Sequence, residues 1–311
     1  MSTSLIEARA ETVSSPPPRG SRVKASWFER DTIAERLDFG LAMDRHTLDQ
    51  AFRLQHDQYV TQGYMDSHPS GWRLSVHNAL PSTRVFVARD NDRVVATVSV
   101  IVDSPLGLPM AEIYEDELRG LRSPRHNLAE VSGLAVHPDY QKSGLAILLR
   151  LIRMVLLYSI KIADLSDLSI AVNPHHAAFY RKAFFFQPIG DLKYYGKVNG
   201  APALALHLDL DLLRTFIGEL RVGHPVESEV YTFLFSPGAV ELAMSRLEAD
   251  LAQAFPQLGD VKYFFSRHEA GTKVSVVERA YLEGCWSSLA HASQSGTVGS
   301  PFEQRRDLAA A

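Results

Sequence analysis

The strongest constraint on the fold is one change of period in the middle of the chain. Residues 127–136, Asn-Leu-Ala-Glu-Val-Ser-Gly-Leu-Ala-Val, have strand character. His137-Pro138-Asp139-Tyr140 and a Gln141-x-x-Gly144-x-Ala146 turn follow, and an apolar helix then runs over 144–163. The next strand, 168–172, lies beyond that helix, so the spacing predicts one strand–helix–strand crossover and a parallel joint there. Hairpins flank it. Strands 84–89 and 93–102 join through Asp90-Asn91-Asp92, and strands 191–198 and 203–210 join through Asn199-Gly200.

Three further helices fill the pattern. A first strand, 36–43, precedes a helix over 46–62 that Asp44 caps. A short acidic helix over 110–122 stops at Ser123-Pro124, and Pro174 opens a helix that reaches about Phe185. The order β-α-β-β-α-β-α-β-α-β-β predicts an α/β (α+β) fold. Its sheet is mixed, mostly antiparallel and twisted, with helices on both faces. This domain spans 36–211. Residues 1–35, centred on Ser14-Ser15-Pro16-Pro17-Pro18, read as a disordered arm. Residues 212–295 form a partly helical extension, with an amphipathic helix over 239–254 and short strand or helix pieces at 261–265 and 273–277. Residues 296–311 read as a flexible tail.

Composition narrows the partners. A hydrophobic fraction of 46% supports a buried core, and a net charge of −4 gives no general attraction to nucleic acid. The single Cys285 excludes an intramolecular disulfide and points to a reducing, cytoplasmic setting. No apolar run follows the first residues, so no secretory leader is expected. In the apolar stretch 145–162, Arg150, Arg153 and Lys161 fall on one stripe, which argues against a transmembrane segment. The twelve histidines lack an H-x3-H or Cys pairing, so no metal is expected.

The turn carries the first chemistry. Backbone N–H groups of Gln141, Lys142, Ser143, Gly144, Leu145 and Ala146 at a helix N-terminus suit a pyrophosphate, though an ordinary strand-to-helix turn can also hold a glycine. Glu130 stands on an otherwise apolar strand, where a carboxylate is costly unless paired or facing a cleft. It can take a proton from an incoming ammonium, or it can simply pair with Arg125 or Arg53. The N–H of Val136, or of a neighbour in a bulge, can hold an oxyanion. Cys285, with no adjacent His, is a poor nucleophile candidate.

This segment resembles the acyl-carrier-binding motif of the GNAT superfamily of N-acyltransferases, R/Q-x-x-G-x-G/A after an apolar-Val-x-Pro-x-Tyr strand end. Within it the chain is similar to the N-acyl amino acid synthases of the FeeM type, and more distantly to acyl-homoserine-lactone synthases. The likeness rests on residues 51–59 (Ala-Phe-Arg-Leu-Gln-His-Asp-Gln-Tyr) and 130–136, on Asn173-Pro174-His175-His176 through Arg181, and on Tyr195-Gly196-Lys197-Val198-Asn199-Gly200-Ala201-Pro202. The resemblance implies that Tyr180, seven residues past Asn173, protonates the departing thiolate, with Asn173 on the donor side; packing as helix core is the other reading. It implies acceptor contacts at Arg53, Tyr59, Ser132, His175 and His176. A long-chain acyl group would come from acyl-CoA or from the acyl-phosphopantetheine of an acyl carrier protein and pass to an amino acid. Arg119, Arg122, Arg125, Lys142, Arg150 and Arg153 could meet an acidic carrier face or stay solvated. A short-chain acetyltransferase using acetyl-CoA and a non-catalytic carrier-binding module remain open. Gly133 departs from the relatives, which commonly carry Arg there. The apolar 145–162 helix needs a cover, and the extension is expected to supply it and to wall an acyl tunnel.

Overall fold

The alternating apolar residues of 84–102 fold as the predicted hairpin in the computed structural model, which describes residues 30–123, 127–221, 229–253 and 258–294. β2 (Arg84–Asp90) and β3 (Arg93–Val102) pair antiparallel, and Asn91 turns between them with φ 55°. β1 (Asp38–Leu41) adds outside β2, and β4 (Leu128–Val136) adds outside β3. β5 (Asp167–Val172) lies parallel to β4. β8 (Ala201–Asp209) returns antiparallel to β5, and the short β6 (Gln187–Pro188) and β7 (Lys193–Tyr195) pair with β8. The order β1-β2-β3-β4-β5-β8-β6 therefore has one parallel joint, at the predicted crossover.

One strand goes unread in the sequence and one is corrected. β6 has two residues, one a proline, and carries no periodic signal. The strand expected over 191–198 ends at Tyr195, because Gly196–Val198 winds into a 3-10 turn before Asn199 (φ 54°) and Gly200 (φ 70°) reverse the chain. The end of the arm is corrected too. Thr32–Arg36 is a helix, α1, with Asp31 accepting the Ala34 N–H at 2.8 Å and Ala34 and Leu37 buried in the core. The rest of the arm, up to residue 29, and the tail 296–311 lie outside the described residues.

Helices cover both faces of the sheet. On one lie α2 (Arg45–Thr61) and α3 (Ala111–Leu121). The Asp44 side chain accepts the Thr47 N–H at 2.8 Å at the start of α2, as its cap position predicts. On the other lie α4 (Gly144–Leu157) and α5 (Pro174–Phe184). α4 buries Leu149, Leu151 and Leu156 almost completely. At roughly 1.5–3 kcal/mol for each such side chain, it is the spine of the core. The α-helical period stops at Leu157, and Tyr158–Ile162 widens into a π turn.

Every regular element of the extension among the described residues is a helix. It comprises α6 (Leu210–Arg221), α7 (Glu229–Leu234), α8 (Pro237–Leu251), α9 (Leu258–Phe265), α10 (Glu269–Thr272) and α11 (Val276–Gln294). Residues 261–265 thus belong to a helix, and 273–275 only link α10 to α11. α7 and α8 pack on the outer side of α4, the cover that its sequence requires. α8 also closes the edge of β1: Asp250 accepts the Leu41 N–H at 2.7 Å, and Arg246 pairs with Asp38 at 2.8 Å.

Candidate active site

The parallel joint is incomplete. β4 and β5 pair from Leu128↔Asp167 to Glu130↔Ser169 and then part. Between them opens a cavity of about 440 Å³. Its lining draws on both faces of the sheet: Leu168, Ile170 and Leu208 belong to the core under α4, whereas Ala171, Ala203 and Tyr195 face α3.

A bulge shapes its edge. The β3–β4 register slips between Thr97 and Ser99, so Gly133 and Leu134 together oppose Val98. Gly133 takes φ +67°, and a Cβ there would stand 2.9 Å from Gln55 Oε1. The bulge holds Gly133 in left-handed backbone and Gln55 fills the space above it, so a side chain at this position would be strained. The His137 N–H donates to Val95 O at 2.8 Å. Alternation along the strand turns the N–H groups of Leu134 and Val136 the other way, toward the gap.

The side of the cavity under α4 is apolar, lined by Leu148, Ile152, Val155, Leu156, Phe184 and Phe186. Among the described residues none beyond Leu208 lines the cavity; the described part of the extension backs the helix that does. Tyr180 and Asn173 line the same side. Burial pushes the Tyr180 phenol up to about 12, and its ring packs against Phe179 and Phe186. Asn173 caps α5 by accepting the His175 N–H at 3.1 Å. His176 lines the opening, while His175 is exposed and outside the lining.

The turn leads into α4 beside this half. Pro138–Ser143 is a 3-10 turn with Gln141 and Lys142 exposed and Ser143 buried; Gly144 begins α4, followed by half-buried Leu145 and buried Ala146. Gly144 has an ordinary helical φ of −55°, and a Cβ added there would meet nothing within 4 Å. Neither backbone nor packing requires glycine at this position, so the missing side chain leaves open space at the helix N-terminus.

The opposite side is polar. Glu130, only 3% exposed, accepts the Met110 N–H at 2.8 Å. Burial pushes its carboxyl up to about 8, against the smaller pulls of that N–H, Arg73, the Ser132 hydroxyl and Lys197. Ser132 and Tyr59 line the cavity. Arg53 does not: it pairs with Asp49 at 2.8 Å and lies over Trp72. It is therefore no partner for Glu130, and Arg125 lies outside the described residues. Sequence reasoning missed Arg73, whose guanidinium lies 4.0 Å over the Tyr59 ring. It also missed Tyr195, whose hydroxyl donates to Pro109 O and whose phenol is raised by burial and by Glu130. Tyr195 stands inside the 195–202 motif, whereas Arg73 sits in Gly71-Trp72-Arg73-Leu74, which has no period to read.

Of the expected cations, Lys142 is exposed, Arg125 lies outside the described residues, and the other four are paired with or packed on neighbours within the chain. Arg119 pairs with Asp116, and Arg122 with Asp103 and Glu115; Arg153 donates to Phe233 O and Leu234 O, and Arg150 lies over the Phe233 ring. These cations serve helix ends and the α4–extension contact. Among the described residues no group of three or more His, Cys, Asp or Glu is placed to hold a metal ion, and no helix is long and apolar enough to cross a membrane. Cys285, on α11, does not line the cavity.

No curated protein sequence matches the chain. Among solved structures, the N-acyl amino acid synthase FeeM from uncultured soil microbes is 31% identical, with a TM-score of 0.51 over 58% of this chain and 94% of that one. The CoA-dependent acyl-homoserine lactone synthase BjaI, solved with SAM and isopentyl-CoA, is 21% identical, with a TM-score of 0.46 over 61% and 90%. The acyl-homoserine lactone synthase LasI is 18% identical, with a TM-score of 0.44 over 56% and 89%. The family model of the N-acyl amino acid synthase FeeM matches residues 50–209, just over half of the 311-residue chain. That span holds the parted strands and every described residue lining the cavity, and on it the chain belongs to the FeeM family of N-acyl amino acid synthases, GNAT-fold enzymes that transfer an acyl group to an amine.

Proposed function

We propose that the protein moves a long-chain acyl group from a phosphopantetheine thioester to the amine of an amino acid by direct attack. The observation that carries this reading is the cavity itself, apolar under α4, polar under α2 and α3, and continuous through the gap between β4 and β5. The acyl chain lies along Leu148, Ile152 and Phe184. The pantetheine arm leaves past Asn173 toward the open space at Gly144, where helix N–H groups favour phosphate.

Glu130 takes a proton from the ammonium, directly or through water, and the freed nitrogen attacks the thioester carbonyl. The Leu134 and Val136 N–H groups hold the oxyanion. As the C–S bond breaks, Tyr180 gives its hydroxyl proton to the sulfur and regains one from the new amide nitrogen. An amide and a thiol result, and the proton held by Glu130 goes to solvent. A phenol raised to about 12 keeps its proton until the thiolate forms.

The test is a donor profile of the purified protein, using acetyl to long-chain acyl groups on CoA and on acyl carrier protein, with the twenty amino acids as acceptors. Amide formation should rise with chain length. Turnover with acetyl-CoA alone would favour a short-chain acetyltransferase. Tight donor binding without turnover, unchanged in Glu130→Gln and Tyr180→Phe, would mean a carrier-binding module. Comparing the two carriers decides which supplies the acyl group.

A further inference from the structure

Among the described residues, every buried or half-buried arginine but one donates to a protein acceptor. Arg89 and Arg246 meet Asp38, Arg122 meets Asp103, and Arg84, Arg150, Arg153 and Arg214 reach backbone carbonyls. Arg73 lines the cavity and has no such partner.

Its placement is rigid. The Arg73 N–H donates to Phe52 O at 3.2 Å, and the preceding Trp72 is buried with its indole N–H donating to Asp49 at 2.8 Å. Both bonds pin the loop to α2. The guanidinium then lies over the Tyr59 ring, which occupies its face. The N–H donors in its plane stay free, the geometry that a carboxylate takes two at a time. Glu130 is the one carboxylate in the lining among the described residues, and it turns Oε2 to the Met110 N–H. A partly desolvated cation with unused donors, beside the group that must meet the acceptor's nitrogen, calls for an anion supplied by the ligand.

We propose that Arg73 is the seat of the acceptor's α-carboxylate, and that it makes the enzyme select amino acids over simple amines. This rests on the acyl-transfer reading above. In an α-amino acid a single carbon separates carboxylate from nitrogen, so fixing one at Arg73 delivers the other to Glu130. Arg73 is a positioning and specificity residue; the acyl chain and its carrier approach from the other side of the sheet.

The experiment pairs a change in the enzyme with a change in the substrate. For the best of the twenty amino acids and for its methyl ester, kcat/KM is measured with the full-length protein, Arg73→Gln and Arg73→Lys. The wild type should prefer the acid by about 10- to 100-fold, the worth of a charge-assisted pair. In Arg73→Gln that preference should fall to near one, with the donor affinity little changed, and Arg73→Lys should lie between; acid and ester are compared at one pH, so any change in Glu130 ionisation cancels in the ratio. Equal losses for acid and ester, or an intact preference, would overturn the assignment. Calorimetric titration with the amino acid and its ester separates this from failure of the reaction itself. Acid-selective binding to the wild type that is lost in a folded Arg73→Gln supports the seat even without turnover. Equal binding of the acid to both proteins refutes it.

Discussion

The apolar half of the cavity comes from continuous stretches of chain, whereas the polar half is collected from four separate places. α4 and α5, with the strands before them, supply the apolar wall, the helix N-terminus and Tyr180. The polar half takes Tyr59 from the end of α2, Arg73 from the loop after it, Glu130 from β4 and Tyr195 from β7. The difference shows where change is cheap. The apolar wall is also the core of the protein, so altering it costs stability. The polar side chains project from elements that pack by other residues, so the acceptor can change while the fold stays.

The largest break in this comparison should come at Glu130. Glu130→Gln should lower kcat by about 10²–10⁴-fold with donor affinity intact, read by single-turnover rates and a binding titration. In the wild type kcat/KM should climb with pH and level off above about 8, because the base works only when ionised. That limb should vanish in the variant. The same group predicts a stability slope. Its pKa in the folded protein, about 8, lies above the ordinary 4.5, so the fold favours the protonated form. The part of stability due to Glu130 is therefore full below about pH 4.5 and lost as pH rises through 8. Denaturant melts across that window should be flatter for Glu130→Gln.

On the apolar side, Tyr180→Phe should cost about 10- to 100-fold in kcat with unchanged donor affinity, the loss expected when a leaving thiolate loses its proton source. Gly144→Asp should weaken donor binding about 3- to 30-fold through charge conflict at the helix N-terminus, leaving Tm unchanged because the site has room for a Cβ. A Tm drop in that variant would make Gly144 structural. At the boundary between the halves, Gly133→Ala should destabilise by about 1–3 kcal/mol, since φ is +67° and Gln55 stands in the way. Adding Gln55→Ala should return part of that loss in denaturant melts.

The same contrast explains what could be read beforehand. Strand–turn–helix 127–163 and the helix from Pro174 carry periodicity, caps and local motifs, so the crossover and the elements that form the apolar half are legible from neighbouring residues. Arg73 and Tyr195 come together with Glu130 only through tertiary contacts, and no local spacing encodes that meeting. The bulge at Gly133 was hidden for a different reason. A register slip is a relation between two strands, and a glycine inside one of them states only that something unusual is permitted there. Arg53 enters only through the resemblance over 51–59, and a motif does not show that Asp49, one helical turn earlier, pairs with it outside the cavity.

A fatty tail and a zwitterion do not share a solvent, and the gap between β4 and β5 turns the sheet into the interface between their two phases. In the proposed reaction the thioester carbonyl, the polar end of an oily substrate, comes to rest at that interface as a headgroup does at the surface of a micelle. Backbone amides freed from strand pairing stand in for the water it would meet there. Because this boundary is fixed in peptide, the protein brings two immiscible reactants together without dissolving either in the other's medium.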